Sequence, residues 1–115
     1  MPQRARLSAV DFRRCRMVAR RSPRRSLQLA EVGANIRRWR AVNGMTASAL
    51  AERAGVTRET LRRLEAGDGS ARFDSVVAVL GALGIADSLV QATDPYRSET
   101  ARARIDAILG AGGLV

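Results

Sequence analysis

From Ser26 onward the apolar residues of this chain recur at every third or fourth position. Leu29, Val32, Ile36 and Trp39 fall on one side of a helix, Arg37, Arg38 and Arg40 lie off it, and Asn43-Gly44 supplies a stop. Thr46 is placed to cap a second, shorter helix, in which Leu50, Ala51 and Ala54 face inward before Gly55, suited to left-handed backbone, turns the chain. Val56 is expected as the buried pin of that turn. Thr57 then caps a third helix, with Leu61 and Leu64 inward and Glu59 near the positive end of the dipole; "AGDGS" closes it. Phe73, Val76, Val77, Leu80 and Leu83 make the stripe of a fourth helix ending at Gly84, and "IADSLVQATD" predicts a short fifth before Pro95. The last stretch, "YRSETARARIDAILGAGGLV", places Ile105, Ile108 and Leu109 on one side, which suits either core packing or a surface for self-association or a partner. No segment alternates as a strand would, and no repeat period is visible.

These elements predict an all-α fold: a compact bundle of about five helices over residues 26–94, followed by a short helical tail over 95–115. At 115 residues, 46% of them apolar, the chain suits one domain with a modest core. Residues 1–25 stand apart. "SAVDF" opens a short helix with Ser8 as its cap and Asp11 at the third helical position, but Pro23 is expected to end any helical run there, and the segment reads as a largely disordered arm.

The charge is as uneven as the pattern. Residues 1–25 hold nine arginines and one aspartate, and residues 26–115 hold eleven arginines and ten acids, so nearly all of the +9 net charge sits in the arm. Such a balance favours nucleic acid, an anionic membrane or an acidic protein as partner. Every basic residue is arginine, which suits bidentate contact to phosphate or a guanine edge, although a codon bias toward arginine produces the same composition. The arm has three readings of equal standing: phosphate binding without sequence preference, an idle tail, or a stretch preceding a later translation start at Met17.

Composition removes several chemistries together. Cys15 is the only cysteine and histidine is absent, so intrachain disulfides, Cys/His zinc sites, Ser-His triads and Cys-His pairs have no residues to use. The acids are scattered, those on predicted helices have arginine neighbours, and no glycine-rich loop follows a strand; an enzyme is not expected. Arginines interrupt every apolar run near the N-terminus, so neither a signal peptide nor a span of roughly 20 apolar residues is read, and the expectation is a soluble cytoplasmic protein.

What remains is a constellation at the centre of the chain. Two short capped helices are separated by a tight glycine turn, and Leu50-Ala51, Gly55-Val56, Leu61 and Leu64 form the scaffold that fixes their crossing. Arg58, Glu59, Arg62 and Arg63 then project outward with no role in the core. Arginine matches guanine O6 and N7 bidentately and Glu59 is able to accept from cytosine N4, each good pair discriminating by roughly 1–3 kcal/mol. The competing reading is a solvated face in which Glu59 pairs with Arg62 or Arg63, contributing roughly 0.2–0.5 kcal/mol per pair.

"IRRWRAVNGMTASALAERAGVTRETLRRLEAG", followed by "FDSVVAVLGALGI", closely resembles the helix-turn-helix domains of lambda-type repressors and Cro proteins, the XRE family of bacterial regulators. The resemblance spans roughly residues 28–86 and leaves out the arm. It implies a bundle of about five helices that binds double-stranded DNA as a homodimer, with no cofactor and no catalysis. By position it puts Thr57, Arg58, Glu59 and Arg63 at operator contacts, and Thr46, Ala47 and Thr60 where the helix ends meet phosphate. Many members have glutamine where this chain has Ala47, whose methyl cannot hydrogen-bond a phosphate. The resemblance also implies a structural ion pair between Arg40 and Glu65. Its functional implication is a sequence-specific regulator, most simply a repressor on a palindromic operator. "ALGIADSLVQATDP" is similar to regulators encoded beside HipA-like kinase toxins, which implies the alternative of an antitoxin that silences a toxin protein and regulates their shared operon. A third idea, a non-specific RNA or nucleoid protein acting through the arm alone, would not need Arg58 or Arg63.

Overall fold

The computed structural model describes residues 21–112. Among them the chain forms six α-helices and no strand: α1 (Pro23–Val42), α2 (Ala47–Ala54), α3 (Arg58–Glu65), α4 (Phe73–Ala82), α5 (Ala86–Ala92) and, after a 3-10 turn at Pro95–Arg97, α6 (Glu99–Gly110). The all-α bundle read from the periodicity is the observed architecture. The expected helix at Ser8 and the disorder of the arm fall, apart from residues 21–25, outside the described residues.

Pro23 opens α1, so residues 23–25, expected to belong to a disordered arm, are helical, and whether a helical run precedes Pro23 lies outside the described residues. The proline occupies the first turn of α1, where its missing N–H has no partner to lose and its fixed φ is already helical, and Ser22 caps the turn by accepting from the Arg25 amide at 3.0 Å. Arg21 lies just outside this helix and donates to the Asp68 carbonyl at 3.1 Å, which ties the start of α1 to the loop after α3.

The core is built from Ile36 of α1, Leu50 and Ala51 of α2, Leu61 and Leu64 of α3, and Val79 and Leu83 at the end of α4. The inward positions read for α2 and α3 hold: Leu50, Ala51, Leu61 and Leu64 are buried and Ala54 packs against them. Val56 is half-buried at the rim of the cluster, not a fully buried pin.

Two apolar faces are rotated from expectation. In α1 only Ile36 of the expected stripe is fully buried; Leu29 is half-buried, and Val32 and Trp39 are exposed. The cause is Gly33, which lies against the backbone at the end of α3, so close that a methyl there would stand 2.6 Å from the Leu64 carbonyl oxygen and 2.8 Å from the Glu65 carbonyl carbon. Turning that backbone inward carries Val32 and Trp39 to the flank. In α4 the buried positions are Val79 and the capping Leu83, whereas Phe73, expected in the stripe, is 68% exposed. Val76, Val77 and Leu80 are half-buried.

Beyond the bundle, α6 begins at Ser98, whose hydroxyl accepts from the Ala101 amide at 3.2 Å. Ile105 is half-buried, but Ile108 and Leu109 are exposed, so the tail's apolar side does not complete the core.

Candidate nucleic-acid interface

The interface region is assembled by two N-caps and one left-handed glycine. Thr46 Oγ1 accepts from the Ala49 amide at 3.0 Å, and Thr57 Oγ1 accepts from the Thr60 amide at 3.0 Å while donating to Thr60 Oγ1 at 2.9 Å. Each cap satisfies a backbone donor that a helix start leaves unpaired. Between them Gly55 adopts φ +70° and ψ +30°, and the Val56 amide reaches back to the Ala51 carbonyl at 3.0 Å, closing α2 and redirecting the chain within three residues. With Leu50 and Ala51 buried on one side of this turn and Leu61 and Leu64 on the other, the crossing of α2 and α3 is set by packing.

That packing decides where the polar side chains of α3 go. Leu61, Leu64 and Glu65 face the domain, and Arg58, Glu59, Arg62 and Arg63 are left exposed on the opposite side. Glu59 is the hub of this exposed face. Its carboxylate accepts from Arg62 Nε and Nη2, at 2.9 and 2.7 Å, and from Arg63 Nε at 3.0 Å. In the free chain, therefore, the i+3 and i+4 pairing weighed above is formed. Arg58 has no salt bridge among the described residues. The hydrogen bonds from Arg62, assisted by those from Arg63, lower the Glu59 carboxyl to about 2. Its ion pairs therefore persist through the ordinary carboxylate range and weaken as pH falls below it, and a carbon-detected NMR titration of the Glu59 carboxyl is expected to show a midpoint below the usual value of 4.5.

Ala47, half-buried at the first turn of α2, lies beside this face. Together with Arg58, Glu59, Leu61, Arg62 and Glu65 it lines a shallow cleft of about 340 Å³. Ala47 thus borders the arginines, while Thr46 and Thr57, the latter bonded to Thr60, cap the starts of two helices, whose free amides and positive dipole ends attract anions.

Behind the face, Arg40 and Glu65 hold α1 to the end of α3. Arg40 Nε and Nη2 donate to the two Glu65 oxygens at 2.9 and 3.0 Å, and the Glu65 side chain is only 7% exposed. These bonds raise the Arg40 pKa above its ordinary value against the cost of partial burial. Arg37 adds a contact at 3.7 Å, a participant not read from the sequence although its spacing of three from Arg40 was the available signal.

A family model described as a helix-turn-helix domain matches residues 31–93, more than half of the chain. The chain belongs to this helix-turn-helix family. No curated protein and no solved structure matched it. The matched residues include α2 through α5 and most of α1, so the helix-turn-helix domain contains the whole α2–α3 unit, and α6 lies beyond it. Family membership supports a DNA-binding regulator. Among the described residues no group of three His, Cys, Asp or Glu side chains is placed to hold a metal ion, and no helix is long and apolar enough to cross a membrane.

Proposed function

We propose that the chain is a sequence-specific transcriptional regulator that lays α3 in the major groove of DNA, acting most simply as a repressor on a palindromic operator. The observation that carries this reading is the exposed face of α3, where arginines with no packing role stand on a helix held by a buried scaffold. Arg58, which has no salt bridge among the described residues, is the first base reader, contacting guanine O6 and N7. Arg63 joins it when the duplex displaces its contact with Glu59, and Glu59, so released, accepts from a cytosine amine. Arg62, Thr46, Thr57 and Thr60 bind phosphate together with the helix-start amides, and Ala47 leaves room for the backbone without bonding it. A dimer presents two α3 helices roughly 34–36 Å apart.

Arg58→Ala is expected to lower affinity for the preferred site by about 1–3 kcal/mol and to relax preference at one base position, with little change on unrelated duplex. Fluorescence anisotropy against specific and scrambled duplexes over a salt series measures both. Equal losses on the two duplexes would count against base reading by Arg58.

A second reading, the antitoxin, is favoured by α6, which lies outside the helix-turn-helix match and exposes Ile108 and Leu109. It predicts that the product of a neighbouring gene co-purifies with the chain and is released by charged substitutions at those two positions.

A further inference from the structure

The outer edge of α1 carries a second heptad-spaced pattern, three apolar residues interleaved with Gln28 and Asn35, that the fold leaves unused. Gln28, Val32, Asn35, Trp39 and Val42 step by four, three, four and three residues, the spacing of a coiled-coil seam. They lie to one side of Gly33, Ile36 and Arg40, which face the domain. Val42 is 77% exposed, and Val32 and Trp39, the chain's single tryptophan, are 44% and 42% exposed. Asn35, Arg38, Trp39 and Val42 line a shallow depression of about 270 Å³. The exposed Phe73 shares a second, apolar depression with Val32, which extends the same surface onto the start of α4.

The charges beside this seam select its occupant. Glu31 and Arg38 each precede a seam residue, are one heptad apart and carry opposite signs. On the other flank the equivalent positions are Leu29 and Ile36, already half-buried and buried in the domain. A parallel helix pair matches one flank with the opposite flank of the partner and would leave both charges unanswered. An antiparallel pair sets like flank against like flank, so two-fold symmetry brings Glu31 of each copy beside Arg38 of the other, twice. Asn35 then falls near the two-fold axis. In the single chain its Oδ1 accepts from Arg38 at 2.7 Å, and in the pair its amide is free to bond across the axis while Arg38 turns to the carboxylate.

We propose that α1 is the self-association helix of this protein, docking antiparallel on α1 of a second copy along Val32, Asn35, Trp39 and Val42. This deepens the operator-binding reading, on which its functional meaning rests, by naming the surface that makes the dimer. The seam shares no residue with the exposed face of α3, so association and base reading use separate side chains.

Sedimentation equilibrium on the full chain, combined with Trp39 emission across a concentration series, provides the test. The expected result is a dimer at micromolar concentrations, with emission moving to the blue as it forms because the indole leaves water. Val42→Glu is expected to weaken association at least about tenfold, with a melting curve that matches wild type at dilutions where both chains are monomeric, since that side chain supports nothing in its own domain. Glu31→Arg weakens it too, and Glu31→Arg combined with Arg38→Glu restores it. A monomeric wild-type chain, or a dimer indifferent to Val42→Glu, overturns the proposal; a charge swap that fails to restore overturns the antiparallel pairing. Binding of Val42→Glu to a single half-site separates this from the functional reading. Retained base preference by a monomeric Val42→Glu leaves both readings standing, whereas a wild-type dimer without base preference sinks only the functional one.

Discussion

Arg40→Ala is expected to destabilise the domain by about 3 kcal/mol, enough to lower the melting temperature by more than about 10 °C. The substitution removes two hydrogen bonds from a carboxylate whose side chain is 7% exposed, leaving Arg37 at 3.7 Å as its remaining cationic neighbour. Burial of an unpaired carboxylate is the costly half of the change; loss of attraction alone would be small. An asymmetry follows. Glu65→Ala leaves behind an arginine that is 20% exposed and long enough to carry its charge to water, so it is expected to cost clearly less than Arg40→Ala. Denaturant melts of the two single variants and the double variant make the comparison, and the double is expected to fall near Glu65→Ala, because neither charge is then stranded. Equal costs for the two single variants would show that packing, rather than a stranded charge, sets the energy.

The second large effect comes from a residue with no side chain. Gly33→Ala is expected to destabilise by about 1–3 kcal/mol, since the added methyl would meet the Leu64 and Glu65 backbone, which cannot swing aside as a flexible side chain does. Gly81 is the control. It too lies within a helix, but a Cβ there would meet nothing within 4 Å, so Gly81→Ala is expected to stabilise by about 0.5–1 kcal/mol through reduced backbone entropy. Opposite signs for the same substitution at two helical glycines, read from thermal melts, would confirm that α1 and α3 meet backbone to backbone. A stabilising Gly33→Ala would mean that they do not.

The contrast between these glycines shows where the sequence was legible. Helix starts at Thr46 and Thr57 and the turn at Gly55 were readable because each depends on local chemistry: a hydroxyl able to accept from an amide three residues on, or the one residue that tolerates positive φ. The inward sides of α2 and α3 were readable because two short helices offer few ways to bury their leucines. The orientation of α1 was not, since it depends on a close approach between residues 33 and 65 that no local pattern encodes. Leu29, Val32, Ile36 and Trp39 do share one face, but the domain buries the side next to it and leaves Val32 and Trp39 outside. Phe73 misled for a similar reason: at the first position of α4 it lies beyond the reach of the core that Val79 and Leu83 enter. The start of α1 at Pro23, three residues before the apolar periodicity begins, depends on the Ser22 cap and on a proline in the first turn, neither of which carries an apolar signal.

At the interface, residue types and spacing put the arginines of α3 on the surface, and the structure adds what spacing left open. Both competing readings of the helix describe the same side chains: Glu59 holds Arg62 and Arg63 in the free chain, while Arg58 has no salt bridge among the described residues. Base reading by Arg63 therefore requires the duplex to compete with an exposed ion pair, an interaction weak enough for a guanine edge to displace.

Selection of bound fragments from random duplex DNA by the purified full chain tests the central claim most directly. The α3 reading predicts an enriched inverted repeat whose half-sites contain a guanine, are centred about one helical turn apart, and lose that guanine when the selection is repeated with Arg58→Ala. Recovery of unrelated sequences by the wild-type chain, or an identical consensus from Arg58→Ala, would contradict it.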